Sequence, residues 1–88
     1  MAKRVVVHKA PDIHSTITPK ILGELVKARR TSAGLKQEDA ASLCGVATGT
    51  FKKIELGRGD VMLDKTFQVL QMLGIKLKSF DLENSDVV

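Results

Sequence analysis

Four stretches of the chain carry apolar residues at helical spacing, with short polar breaks between them. In the first, Leu22, Leu25 and Val26 form one stripe behind Thr18 and Pro19. A threonine hydroxyl caps a helix start, and proline suits the first helical position, where no N–H is needed. Ala33 extends this helix and Gly34 offers a left-handed stop. The second helix is expected from about Gln37 to Leu43, with Glu38 and Asp39 in the first turn facing the positive end of the dipole. Its small Ala40 and Ala41 admit a close neighbour, and Gly45 makes the following turn. The third helix is expected from about Ala47 to Leu56. Val46, Phe51 and Ile54 face inward by spacing, while Thr48, Gly49, Thr50, Lys52 and Lys53 form its polar side. After the polar loop Arg58–Asp60, a fourth helix from about Leu63 to Leu73 is expected to turn Leu63, Phe67, Leu70 and Leu73 to the core, with Gly74 as its cap.

The period changes after Gly74. Ile75 and Leu77 alternate with Lys76 and Lys78, which is the two-residue repeat of a strand with one apolar face. Val5, Val6 and Val7 are β-branched and suit a second short strand. Lys3, Arg4 and Lys9 suit a basic arm lying on phosphates, and a frayed terminus is the third reading of the same residues. The expected layout is an arm at 1–17, a helical domain at 18–74, a strand at 75–81 and an acidic, flexible tail at 82–88.

Composition narrows the class. A chain of 88 residues leaves room for one domain, and one this small buries only about 60–70% of its unfolded surface, so a partner helps it. Hydrophobic residues at 43% support a globular core, which must be aliphatic because Trp and Tyr are absent. No apolar run approaches the roughly 20 residues of a membrane span, and the N-terminus lacks a signal-peptide core. A single cysteine, Cys44, excludes an internal disulfide and suits the cytoplasm. His8 and His14 lie too far from Cys44 for zinc-ligand spacing. No paired carboxylates, nucleophile–base couple or phosphate loop points to catalysis, and no metal or cofactor is expected. Residues 1–58 hold eleven Lys/Arg against five Asp/Glu, a net +6, whereas residues 59–88 hold three against five, a net −2. A basic body with an acidic tail points to a polyanion as the partner of the body.

Gly34–Leu35 before a Gln37–Glu38 helix start, Ala41, the Gly45–Val46 turn, Ile54–Glu55, Gly57 and Leu73–Gly74–Ile75 occur in one order and spacing. On these positions residues 18–75 resemble the Cro/C1-type (XRE-type) helix-turn-helix family of bacterial and phage repressors. Thr18–Pro19, and the last helix running straight into a strand at Phe67–Phe80, are similar to HipB-like antitoxins. The resemblance implies an all-α, lambda-repressor-like bundle of four to five helices with a short C-terminal β-strand for dimerisation. It also implies double-stranded operator DNA and a second copy of the chain as partners, with a HipA-like kinase toxin as a third. Four positions depart from the pattern. Lys36 stands where Ser or Thr usually caps the second helix, Arg29 where an apolar residue is common, Leu43 where a charge is usual, and Gly49 inside the recognition helix.

By this resemblance the third helix enters the major groove, with Ala47, Thr48 and Gly49 nearest the bases and Lys52 and Lys53 a turn later. Thr48 can exchange hydrogen bonds with a base and offer its methyl to thymine. Gly49 permits close backbone approach. Gln37, Lys36 and Arg58 are expected on phosphates. Arg30 and Glu55 are expected to pair and tie the first helix to the third. Leu43, Ile75 and Leu77 are the expected dimer contacts. Three functions stay open: an autoregulating repressor-antitoxin, a phage-type repressor, and a protein-binding toxin inhibitor with little DNA affinity.

Overall fold

The computed structural model describes residues 5–11 and 16–78. It contains α1 (Pro19–Ser32), α2 (Gln37–Cys44), α3 (Thr48–Glu55) and α4 (Leu63–Met72), with no strand among the described residues. The protein is an all-α helix-turn-helix bundle. Thr18 caps α1 by accepting from the Ile21 N–H at 3.2 Å, with Pro19 in the first turn. Each helix closes in the same way. A left-handed glycine follows it, and the next residue donates its N–H back five positions: Leu35 to Arg30, Val46 to Ala41, Arg58 to Lys53 and Ile75 to Leu70. This pairs otherwise orphaned carbonyls and turns the chain sharply, so four helices fit into 54 residues, Pro19 to Met72.

The core is a single cluster of Val26, Ala40, Ala41, Cys44, Phe51, Ile54, Val69, Leu70 and Leu73, with Leu22, Leu35, Val46, Val61 and Ile75 packed against it. Phe51 is fully buried and is the largest side chain at the centre, so the core is not the purely aliphatic one that the absence of Trp and Tyr leads one to expect. Helix α3 lies against both α1 and α2, and α4 lies against α2. The approach of α1 to α3 is set by a glycine. A Cβ on Gly23 would stand 2.5 Å from the Ile54 carbonyl oxygen and 2.6 Å from that of Glu55. At the same crossing a Cβ on Gly57 would stand 2.8 Å from Lys20 Cα.

Helix α4 departs from the expected face. Leu63 is 67% exposed and Phe67 46% exposed, and the helix buries Val69, Leu70 and Leu73 instead. The chain re-enters from the Arg58–Asp60 loop with α4 rotated, so that Val69 joins Leu70 and Leu73 on the face toward α2. Leu63 and Phe67 are left at its edge. Val5–Val7 carry no regular secondary structure, with Val6 and Val7 exposed. The only described hydrogen bond of this segment beyond its own neighbourhood runs from the His8 N–H to Thr31 Oγ1, at 2.8 Å. Ile75–Lys78 likewise carry no regular secondary structure. The remainder of the expected strand (79–81) and the acidic tail (82–88) lie outside the described residues.

Candidate nucleic-acid interface

The helix-turn-helix unit is α2, the turn at Gly45–Val46 and α3. Gly45 takes φ 74°, a conformation that a side chain would strain, and it lies against α4, where a Cβ would meet Gln68 Nε2 at 2.9 Å. That Gln68 amide donates to the Cys44 carbonyl at 2.7 Å and to the Gly45 carbonyl at 3.3 Å. The turn is thus fastened from α4 by one side chain. Cys44 fills the core beneath it. Burial pushes its thiol pKa up, which keeps it protonated and unreactive rather than nucleophilic.

The buried face of α3 is Phe51 and Ile54. Ala47, Gly49, Lys52 and Lys53 are exposed, and Thr48 and Thr50 are half-buried. Ala47 begins the helix with no side-chain cap, as Lys36 does for α2. The first N–H groups of both helices therefore have no side-chain acceptor at the cap position, and N–H groups of this kind accept an anion. At Gly49 a Cβ would meet nothing within 4 Å and the backbone φ is not positive, so nothing in the fold calls for glycine there.

The orientation of α3 is held by Glu55, whose side chain is only 3% exposed. Arg30 from α1 donates Nε to Glu55 Oε2 and Nη2 to Oε1, the latter at 3.2 Å. Gln37 from α2 donates Nε2 to Oε1 at 3.0 Å. Arg30 Nη1 is satisfied by the Leu35 carbonyl at 2.8 Å. One carboxylate therefore joins the first three helices, and no buried side-chain polar atom lacks a partner among the described residues. Gln37 was expected at a phosphate. Its amide nitrogen donates one of its two N–H groups to Glu55, which leaves the second N–H and the backbone N–H groups of the α2 N-terminus.

The remaining expected residues are spread around this unit. Lys36 is exposed beside the α2 start. Arg58, just past α3, donates Nη2 to Asp60 Oδ2 at 2.8 Å. Leu43 is 53% exposed on α2. Ile75 and Leu77 meet Phe67, Leu70 and Gln71 along an apolar groove of about 460 Å³, whose lining does not include Leu43. Lys76 and Lys78, both exposed, also line it. No grouping of three or more His, Cys, Asp or Glu suited to a metal occurs among the described residues. None of their helices is long and apolar enough to cross a membrane.

Sequence reasoning missed Gly23, Gln68 and the role of Arg29. Gly23 left a signal, since glycine inside a helical stripe costs about 1 kcal/mol without a packing reason. Arg29 left one as a charge in an apolar position. Its Nη1 donates to the Leu73 and Gly74 carbonyls at 3.3 and 3.4 Å, so it closes the end of α4. Gln68 left none, because its partners are main-chain carbonyls 24 and 23 residues away.

Residues 21–74 match the family described as Helix-turn-helix domain. The uncharacterized HTH-type transcriptional regulator y4mF of Sinorhizobium fredii is 33% identical over 60 residues, which is 68% of this chain and 79% of the relative. In three dimensions the fold is similar to a chain of the HipA-HipB-O2-O3 complex. The TM-score is 0.68 and the identity 23%, over 78% of this chain and 97% of the other. The chain belongs to the helix-turn-helix domain family and is a transcriptional regulator of the XRE-like type.

Proposed function

We propose that the chain is a sequence-specific DNA-binding repressor that acts as a homodimer on an operator in its own operon. The observation that carries this reading is the exposed face of α3, with Ala47, Gly49, Lys52 and Lys53 outward on a helix whose pitch is fixed by the Arg30–Glu55–Gln37 network. An α-helix presented this way fits the major groove. Thr48 and Lys53 then reach base edges, and Lys36, Lys52 and Arg58 lie on phosphates together with the α2 N-terminus at Gln37. With Gly49 and Ala47 offering little to read, specificity rests on few side chains and on the spacing of two half-sites, about one helical turn apart.

The second copy docks through the C-terminal segment. Ile75 and Leu77 present apolar groups along the groove at Phe67, and their backbone has no sheet partner among the described residues. Pairing with a two-fold mate supplies one. The solved fold neighbour comes from a complex of HipA, HipB and the elements O2 and O3. This supports the further reading of an antitoxin that also binds a HipA-like kinase toxin. The sparse base-reading set of Ala47, Thr48 and Gly49 supports a second reading, in which toxin inhibition dominates and DNA affinity is slight.

Anisotropy titration with duplex DNA from upstream of the chain's own gene tests the proposal. Salt-dependent binding that is lost in the double variant Lys52→Glu, Lys53→Glu is the expected result. Absence of binding by the wild type at low salt overturns the repressor. A monomer by light scattering at micromolar concentration overturns the dimer.

A further inference from the structure

Arg58 lies one residue past the glycine that closes α3, and its backbone N–H donates to the Lys53 carbonyl at 3.0 Å. Its side chain is engaged as well. Nη2 donates to Asp60 Oδ2 at 2.8 Å, and the two side chains are 54% and 53% exposed. Lys52 and Lys53, both exposed on α3, form no ion pair among the described residues.

We propose that Asp60 sets the affinity for nucleic acid by masking Arg58. A carboxylate and a phosphate oxygen are both anions that compete for one guanidinium. The existing contact uses a single nitrogen and a single oxygen on the solvent side, so it is weak and exchangeable. Arg58 and Asp60 are the only charged residues between α3 and α4, so this segment has no net charge where the neighbouring helix presents two lysines. When DNA arrives, Arg58 exchanges Asp60 for a phosphate, and the displaced carboxylate remains within a Debye length of the backbone and repels it. The result is a repressor whose Arg58 contact is weaker than an unpaired arginine would make, because the Asp60 pair must be broken to form it. This inference rests on the reading of Arg58 as a phosphate contact.

A double-mutant cycle tests it. Binding of the full chain to a labelled, mixed-sequence DNA duplex is measured by anisotropy across roughly 50 to 300 mM NaCl, where counterion release reads the number of phosphate contacts. Wild type, Asp60→Asn, Arg58→Ala and the double variant are compared, with circular dichroism confirming that each folds. Asp60→Asn is expected to bind about two- to fivefold more tightly, the range of an exposed ion pair. Its log–log salt slope stays close to that of wild type, because the phosphate contacts are the same in number, whereas that of Arg58→Ala is shallower by up to about 0.9, one phosphate's worth. The gain must be clearly smaller in the Arg58→Ala background, where only the repulsion by Asp60 is left to remove. An equal gain in both backgrounds reduces Asp60 to a distant charge and overturns the proposal. Weaker binding by Asp60→Asn overturns it in the opposite sense, since Asp60 then steadies Arg58 for its phosphate. If Arg58→Ala binds as wild type does, the phosphate reading of Arg58 has failed first, and the inference falls with it.

Discussion

Gly23 of α1 lies so close to Ile54 of α3 that a Cβ on it would stand 2.5 Å from the Ile54 carbonyl oxygen. Both obstructing atoms at Ile54 and Glu55 are backbone oxygens, so no side chain can swing aside. The two helices must separate to admit a methyl group. Gly23→Ala is therefore expected to destabilise the protein by about 1–3 kcal/mol, despite the better helix propensity of alanine. In a domain of this size that lowers the melting temperature by roughly 4–8 °C per kcal/mol. Thermal unfolding followed by circular dichroism reads it, and an unchanged melting temperature would refute the close crossing.

Gly49 has the opposite character. It is exposed in the first turn of α3, and a Cβ there meets nothing within 4 Å. Gly49→Ala should raise stability by up to about 1 kcal/mol. If the backbone at this position approaches a base or phosphate, the same change should lower DNA affinity several-fold. Melting temperature and duplex binding measured on one preparation must move in opposite directions. A stabilised variant that binds DNA as well as wild type shows that Gly49 has no part in the contact.

These two glycines mark how far the sequence is legible. The helix ends were readable because capping is local: Thr18, Pro19 and the four left-handed glycines signal their roles within a few residues of themselves. The boundaries accordingly match to within a residue or so. The face of α4 was not readable. Leu63 and Phe67 fall on a helical stripe as plausible as the one that is buried, and only the docking of α4 on α2 selects Val69 with Leu70 and Leu73. Within the candidate site, the outward residues of α3 follow from period and resemblance. Gln37 bound to Glu55 and Arg58 bound to Asp60 depend on contacts that no periodicity reports.

Glu55 accepts from Arg30 and Gln37 with its side chain almost fully buried. Removing it alone strands the Arg30 charge, so Glu55→Ala is expected to cost about 3–5 kcal/mol. Gln37→Ala removes one hydrogen bond and should cost about 1 kcal/mol. Replacing both charges, as in Arg30→Met with Glu55→Leu, trades a desolvated pair for apolar packing. Its stability should stay within about 2 kcal/mol of wild type, far closer than Glu55→Ala. DNA affinity should still fall in the double variant, because the pitch of α3 is no longer held by hydrogen bonds. Urea denaturation and duplex binding together separate the two roles. Retention of full affinity in the double variant would show that the network serves stability alone.

Cys44 links the core beneath the turn to pH. Burial raises its pKa from the ordinary 9.0, so the folded state keeps the thiol proton more tightly than the unfolded state does. The stabilisation is complete below the unfolded pKa and is lost as pH rises through the folded one. The difference in stability between wild type and Cys44→Ala should therefore be constant up to about pH 8 and shrink steadily above pH 9, where the unfolded chain ionises first. Comparison with the alanine variant cancels the lysines, which titrate in the same range in both proteins. The same burial slows chemistry at the sulfur. A thiol reagent such as a disulfide dye should label Cys44 only as fast as the domain opens, and the rate should jump at the unfolding midpoint in urea. Rapid labelling of the folded protein at neutral pH would contradict the burial of this sulfur beneath Gly45.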